Sequence, residues 1–454
     1  MITAITIVLF VLFVGFQVLY IFIPLFCVKS PVKPSKRSEE AGITVLVPAY
    51  NEQNIILNCL QGILHLDYKN CETIFINDGS TDHTLELLDQ SLTLKAVHRL
   101  PAYKLSYNEV NAVYQSERYP SIFVIDKHNG GKSDALNTGT DYAKHELVIT
   151  LDADSVLDPN ALTEINEAFL DEKVLAAGGM VQITQGFRGD FKRPTPVFSI
   201  PWLIRYQILQ YLTNFYLHKT TQARLRSITV IAGAFGAFRK YALFEAEGYR
   251  KTVGEDMDIT LRIQRLIKKR YRGHKLLFIP TAVCYTECPS NFKSLFSQRF
   301  RWQKGFIDCI FNFRKSFFRN LGFSVSTYLL LDSLILGTIN AFPSIVIPIF
   351  LIFNKSYLFV VTLLLITILL AYQSIAAMII STRYGVKYSR WDYVKIALFI
   401  PFEIVSYRLL GILFVTIGTI LYFKDKEGWH SSERIGVKYQ TFSEDINLPQ
   451  EKIV

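Results

Sequence analysis

The stretch GITVLVPAYNEQNIILNCLQGILHLDYKNCETIFIN, residues 42–77, decides the fold class. It begins with a short β-branched run over 42–48, continues with a helical pattern over 51–64 and ends with another apolar run over 71–77. A further apolar run, 147–151, follows later in the chain. Alternating strands and helices predict an α/β domain with a mostly parallel sheet, which binds its ligand at the carboxyl ends of the strands.

Apolar segments flank this domain on both sides. Residues 2–28 contain no charged residue and exceed the roughly 20 residues that span a bilayer. A signal peptide would have a shorter apolar core, a basic stretch before it and a small-residue cleavage site after it, and none of these is present. We therefore expect a transmembrane helix here and three further spans at 328–353, 358–380 and 396–422.

The charge distribution indicates which side the domain faces. The net charge is +10, and only 19% of the 454 residues are charged, against about 25% in soluble proteins. A basic balance fits nucleic acid, anionic lipid or an anionic substrate, and the apolar runs favour membrane lipids, so no nucleic-acid partner is expected. Basic residues at 29–37 follow the first span and predict a cytosolic domain.

Two features of the membrane layout stay open in the sequence. The basic hinge 383–395 should be cytosolic. With four simple spans, the tail would then lie outside the cell. The tail nevertheless begins with Lys424 and Lys426, which favour the cytosolic side. A broken or re-entrant segment around Pro343 and Pro348 would reconcile these cues. The aromatic stretches 194–217 and 291–320 fit interfacial helices, with an ordinary core helix as the alternative for the former.

Polar motifs follow the predicted strands. Asn77-Asp78-Gly79-Ser80 fits hydrogen bonding to a base or ribose, but Asp-Gly-Ser is also a common turn. The loop 129–133, NGGKS, can contact phosphates or ribose but lacks the spacing of a Walker A loop. The DADS motif, 152–155, offers two hard oxygen ligands suited to Mg²⁺ or Mn²⁺ together with a bound diphosphate.

Two later motifs each allow a structural and a chemical interpretation. Gly254-Glu255-Asp256 fits the acidic first turn of a helix, or a general base at Asp256 facing an acceptor hydroxyl. The QRFRW motif, 298–302, fits a basic interfacial helix, or arginines that grip phosphate beside a Trp that stacks on a sugar.

Taken in order, these motifs resemble the family 2 glycosyltransferases, in particular the membrane synthases of cellulose, hyaluronan, chitin and poly-N-acetylglucosamine. The matching segments are VPAYNE (47–52), NDGSTD (77–82), GGKSDALN (130–137), LDADS (151–155), GAFGAFRK (233–240), GED (254–256) and QRFRW (298–302). The resemblance implies an N-terminal transmembrane helix (1–28), a basic linker (29–41), a Rossmann-like GT-A domain (42–290), interfacial helices (291–327), C-terminal transmembrane helices (328–422) and a tail (423–454).

The resemblance also implies residue roles. Asp256 would be the catalytic base, and Asp154 with Asp152 would bind Mg²⁺ or Mn²⁺. The residues expected at the sugar nucleotide are Ala49, Glu52, Asp78, Lys132, Asp134, Asp152, Gln298, Arg299 and Arg301. The residues expected at the acceptor are Gly233, Phe235, Glu255 and Trp302.

The expected function is inverting transfer of a sugar, N-acetylglucosamine by resemblance, from a UDP-sugar to a growing β-linked polysaccharide at the cell membrane. A small accessory membrane subunit is a further expected partner. Two alternatives remain. One is non-processive transfer to a membrane lipid, which product length would distinguish. The other is a transporter or scaffold, which gives no reason for having both DADS and GED.

Overall fold

The computed structural model describes residues 2–27, 39–189, 194–346 and 357–424. Its strands are β1 (Ile43–Ala49), β2 (Cys71–Asn77), β3 (Leu94–Ala96), β4 (Val110–Ser116), β5 (Ile122–Lys127), β6 (Leu147–Leu151), β7 (Ser155–Leu157), β8 (Val174–Ile183), β9 (Phe187–Arg188), β10 (Thr195–Pro196), β11 (Phe235–Arg239) and β12 (Lys275–Thr286). Ten of them form one sheet in the order β3-β4-β5-β2-β1-β6-β11-β8-β12-β7, and β9 pairs with β10.

The centre of the sheet is parallel. β1 pairs in parallel with β2 on one side and with β6 on the other, and β2 pairs in parallel with β5. The strand order therefore reverses beside β1, which is where ligands bind in open α/β sheets. Almost every residue of these strands is buried, because helices cover both faces, and this explains why their sequences are continuous apolar runs. The predicted α/β fold is confirmed.

The helices are α1 (Ile2–Phe22), α2 (Ile56–Leu64), α3 (Thr84–Leu92), α4 (Lys132–Tyr142), α5 (Ala161–Phe169), α6 (Trp202–Leu212), α7 (Thr220–Arg224), α8 (Lys240–Glu245), α9 (Glu255–Lys269), α10 (Phe292–Phe313), α11 (Gly322–Thr327), α12 (Tyr357–Arg383), α13 (Arg390–Phe402) and α14 (Arg408–Lys424). Short π-helical segments continue four of them, at Ile23–Cys27, Thr213–Lys219, Tyr328–Thr338 and Glu403–Tyr407. Helix α2 begins later than the predicted residue 51, because Asn51 adopts a left-handed φ of 56° and belongs to a loop.

Within the described residues, four helices are long and apolar enough to cross a membrane: Ile7–Phe26, Gly322–Ala341, Val360–Arg383 and Arg390–Lys424. We call them the first to fourth apolar helices. The second starts before the predicted residue 328. The fourth starts before the predicted residue 396, because the Ser389 side chain caps it by accepting a hydrogen bond from the backbone N–H of Asp392.

The break expected around Pro343 has a structural counterpart. The second apolar helix ends in a 3₁₀ turn at Ile339–Ala341, and a short helical turn follows at 343–346. Proline has no backbone N–H to continue the preceding ladder, which favours a break at this position. Pro348, most of the linker 29–41 and the tail from residue 425 lie outside the described residues.

Helices α6 and α10 pack against the fourth apolar helix. Tyr206 of α6 stacks on Tyr407 with ring centroids 4.9 Å apart and hydrogen-bonds Ser406 at 2.6 Å. Phe296 of α10 meets the ring of Phe414 edge-on at 4.8 Å. The globular domain is therefore joined to the apolar helices by packed side chains, and contact of these two helices with lipid stays a prediction.

Candidate active site

The loops after β1 and β2 are tied together at the point where the strand order reverses. The Asn51 side chain accepts hydrogen bonds from the backbone N–H groups of Thr81 and Asp82 at 2.8 and 3.3 Å. The backbone N–H of Glu52 donates to the Thr84 hydroxyl at 2.8 Å. Ala49, at the end of β1, is 2% exposed, and its carbonyl accepts the backbone N–H of Asp78 at 2.9 Å. The VPAYNE and NDGSTD motifs thus form one wall of a crevice.

Asp78 is buried and fully engaged inside this wall. Its carboxylate accepts hydrogen bonds from Lys127 at 2.8 Å, from Asn129 at 3.2 Å, and from the backbone N–H groups of Gly130 and Gly131 at 3.1 and 2.7 Å. A carboxylate has about four acceptor positions, so this set uses them all. Asp78 therefore holds the NGGKS loop, and a contact with a uridine would have to replace one of these bonds.

Lys127 links Asp78 to Asp134. Its ammonium group is fully buried and lies 2.6 Å from one carboxylate oxygen of Asp134. The other oxygen of Asp134 accepts a hydrogen bond from the backbone N–H of Asn108. Asp134 therefore stabilises the same loop. The sequence did not predict this role of Lys127, because nothing in its local pattern distinguishes a buried lysine from an exposed one at the end of a strand.

Three motifs meet at Lys132. Its ammonium group lies 2.6 Å from Asp152 and 3.3 Å from Glu255, so the NGGKS, DADS and GED segments converge on one side chain. Burial lowers the pKa of Lys132, but the two carboxylates outweigh this effect and raise it above its ordinary value. Burial raises the pKa of the Glu255 carboxyl, and the charges of Lys132 and Arg301 oppose this rise.

Asp154 lies at the same edge of the sheet. One of its carboxylate oxygens accepts hydrogen bonds from the hydroxyls of Ser155 at 3.0 Å and of Thr286 at 3.2 Å. Thr286, at the end of β12, was not predicted from the sequence. In the described part of the chain, no group of three or more His, Cys, Asp or Glu side chains forms a metal site. Asp152 and Asp154 alone could thus provide only part of a cation's oxygen ligands.

Asp256 is the second residue of α9 and directly follows Glu255, which contacts Lys132. Its carboxylate accepts the backbone N–H of Met257 at 2.7 Å. A Cβ placed on Gly233 would lie 3.7 Å from the Cβ of Asp256 and 2.9 Å from the ammonium group of Lys132, so Gly233 lies directly beside both residues. Lys219 is another residue that the sequence did not predict here. Its ammonium group donates a hydrogen bond to the Val230 carbonyl. Burial lowers the pKa of Lys219 to about 8, and the negative charge of Asp256 opposes this shift.

A close glycine contact fixes α10 against the start of α9. A Cβ placed on Gly305 would lie 2.8 Å from the Cα of Gly254, the first residue of the GED motif. Asp308 of α10 strengthens this contact, because its carboxylate accepts hydrogen bonds from the Arg250 guanidinium and the Thr252 hydroxyl at 2.8 and 2.9 Å. The QRFRW motif therefore has a defined position relative to Asp256.

Arg299 is the buried cation of that motif. It is 7% exposed, and its guanidinium lies over the Trp302 ring at 4.3 Å from the centroid. Within the described chain, its Nε and Nη2 atoms and Oε1 of Gln298 have no hydrogen-bond partner. Buried donors left unpaired cost about 1–3 kcal/mol each, and more when charged, so the site is suited to an anionic ligand. Trp302 is 42% exposed, so its ring is accessible.

Phe235 is the one predicted acceptor residue that the structure does not bring to the crevice. Its side chain is fully buried in the main core cluster, and its ring fills the space beside Gly179. Its position on β11, paired with the end of β6, explains this burial.

Comparison with known proteins identifies the domain. The model described as "Glycosyl transferase family 2" matches residues 44–101, and that described as "Glycosyltransferase like family 2" matches residues 104–305. Together they cover the sheet and every motif of the crevice. The chain belongs to the family 2 glycosyltransferases. A model described as "Chitin synthase" also matches this glycosyltransferase over residues 252–410.

Curated relatives include the poly-beta-1,6-N-acetyl-D-glucosamine synthases of Staphylococcus aureus (strain MSSA476) and Staphylococcus epidermidis. The glycosyltransferase is 29% identical to the former over 277 residues, or 60% of its own length, and 28% identical to the latter over 273 residues. The matched part spans 57% and 56% of the length of these relatives.

A mannosyltransferase from Pyrobaculum calidifontis, solved with GDP-Man and Mn²⁺, has a similar fold. It aligns with a TM-score of 0.54 at 17% identity, over 94% of this glycosyltransferase and 100% of that chain. This likeness supports the GT-A fold of the globular domain.

Proposed function

We propose that this glycosyltransferase transfers N-acetylglucosamine from a UDP-sugar to a growing β-linked polysaccharide, with inversion at the anomeric carbon. The observation that carries the proposal is the convergence of three motifs on Lys132, with Asp152 at 2.6 Å and Glu255 at 3.3 Å. This contact supports one shared site for the DADS, NGGKS and GED motifs, to which the proposal assigns metal binding, nucleotide binding and the base. The names of the staphylococcal relatives support the choice of sugar and of product.

The donor diphosphate would lie between the DADS motif and α10. Asp154 and Asp152 would hold Mg²⁺ or Mn²⁺, whose hard-oxygen preference fits two carboxylates plus diphosphate oxygens. A divalent cation bound there supplies charge neutralisation for the leaving diphosphate. Arg299, with Gln298 and Arg301, would bind the diphosphate, and the unpaired N–H groups of Arg299 support this role.

Asp256 would act as the general base. It would remove the proton from an acceptor hydroxyl, whose oxygen forms the new bond to the anomeric carbon as the bond from that carbon to UDP breaks. Attack from the side opposite UDP inverts the configuration. Gly233, which lies beside Asp256, and the exposed ring of Trp302 would contact the acceptor sugar.

The membrane placement completes the proposal. The four apolar helices would make the chain a multi-pass cell-membrane protein, and the basic residues after the first helix favour a cytosolic catalytic domain. A small accessory membrane subunit is a further proposed partner. Transfer to a membrane lipid is the alternative, because the donor site is compatible with either acceptor.

The test is Asp256→Asn in purified membranes supplied with UDP-N-acetylglucosamine and Mg²⁺ or Mn²⁺. We expect transfer to fall by about 10²–10⁴-fold while UDP-sugar affinity changes little, because a general base contributes about this much. The control is Glu172→Gln, which removes an exposed carboxylate in the turn between α5 and β8. Normal turnover by the Asp256 variant would refute the assignment of the base. Product length on a gel separates the alternatives, since lipid transfer would give short products only.

A further inference from the structure

A groove of about 550 Å³ lies away from the crevice, where the globular domain meets the second apolar helix. Its walls are the end of α9, the turn before β12, the segment after α7 and residues 321–325. The basic side chains that line it are Arg226, Lys268, Arg272, His274 and Lys275, whereas no Asp or Glu from the described residues lines it.

Three of these basic residues, all Lys or Arg, are available to a ligand. Lys275 is engaged, because its ammonium group lies 2.7 Å from Asp171. Arg226, Lys268 and Arg272 are exposed, and no carboxylate in the described ranges lies within 4 Å of any of them. The carbonyls at the end of α9 carry only about half a negative charge, which is much less than three full positive charges. The groove therefore favours an anion.

The opposite wall of the groove is apolar. It contains Leu321, Phe323 and Val325. Leu321 and Val325 are buried, whereas Phe323 is 75% exposed although it lies at the start of an apolar helix. A Cβ placed on Gly322 would lie 3.6 Å from Cδ and 3.7 Å from Nζ of Lys268. The ammonium group thus stands beside the residue where the apolar helix begins.

We propose that this basic groove binds the headgroup of an anionic phospholipid. The headgroup phosphate would lie among Arg226, Lys268 and Arg272, and the acyl chains would run along Phe323 and the exposed face of the second apolar helix. Charge complementarity and the exposed Phe323 side chain at the start of an apolar helix argue for a lipid, since a free phosphate would use only the polar side. This inference concerns a surface that takes no part in the proposed transfer reaction.

The test measures lipid preference of the purified full chain in detergent by native mass spectrometry, with equimolar phosphatidylglycerol and phosphatidylcholine. We expect the wild type to retain phosphatidylglycerol. In the triple variant Arg226→Gln, Lys268→Gln, Arg272→Gln, each charge removed should lower the ratio of retained phosphatidylglycerol to phosphatidylcholine about fivefold. The matched control removes three exposed charges near the β3–β4 edge, by Lys95→Gln, Lys104→Gln and Arg118→Gln, and should keep the preference.

Three results would overturn the proposal. They are equal retention of both lipids by the wild type, an equal loss of preference in the control variant, and full displacement of the lipid by millimolar inorganic phosphate. If the triple variant fails to fold, Lys268→Gln alone should weaken the preference about fivefold, and an unchanged preference would count against the groove. Because lipid retention is measured without substrate, its outcome is independent of transfer activity.

Discussion

The contact between Gly254 and Gly305 makes a sharp prediction about how α10 positions the site. In Gly305→Ala the new methyl group would lie 2.8 and 2.9 Å from the Cα and N of Gly254 and 3.3 Å from the carbonyl carbon of Val253. Ordinary contact begins at 3.4 Å, and all three atoms belong to the backbone, which cannot rotate away. Helix α10 must therefore move from the start of α9 by about 0.6 Å.

Two consequences follow from this displacement. Overpacking of a close contact costs about 1–3 kcal/mol of unfolding free energy. In addition, the shift would separate Arg299 and Trp302 from Asp256, and a misplacement of about 1 Å costs on the order of 10²-fold in rate. We expect Gly305→Ala to fold with a lowered melting temperature and to lose about ten- to a hundredfold in kcat.

Initial rates of transfer and thermal unfolding of the purified protein measure both effects. The control is Gly411→Ala in α14, where an added Cβ has nothing within 4 Å and the change should be neutral or slightly stabilising. A wild-type kcat in Gly305→Ala, from protein with a lowered melting temperature, would show that the position of α10 does not govern catalysis. A wild-type melting temperature would refute the steric argument itself.

Two further predictions concern stability. Lys127→Met should destabilise the protein by about 3–5 kcal/mol in thermal unfolding, because it leaves the buried carboxylate of Asp78 without its cation. Burial lowers the pKa of His218 to about 3, so as pH falls below 6.5 the unfolded chain takes up a proton that the folded chain does not. Wild type should therefore lose about 2 kcal/mol more between pH 7.5 and pH 5 than His218→Gln.

Controls separate these effects from general damage. Lys144→Met removes an exposed lysine and should change the free energy of unfolding by less than about 0.5 kcal/mol. A melting temperature of Lys127→Met equal to that of this control would contradict the buried ion-pair argument. Identical pH profiles for wild type and His218→Gln would contradict the assignment of a neutral, buried imidazole stacked on Tyr20 at 4.0 Å.

The sequence by itself determined the fold class, the apolar helices and most residues of the crevice. Local patterns carry this information, because strands buried on both faces read as apolar runs and membrane-length helices lack charges. The motifs that follow strands could be assigned to one site from their positions in the chain, since the carboxyl ends of parallel strands share one edge.

Only the tertiary structure decided what each motif residue does there. Asp78 is part of a strand-end motif, yet Lys127 and two backbone N–H groups use its carboxylate to hold a loop. Phe235 belongs to a glycine-rich motif, yet pairing of β11 with β6 buries it. Lys219, Thr286 and Gly305 reach the site from distant parts of the chain. Their roles depend on contacts between elements far apart in sequence, which no local pattern of residues encodes.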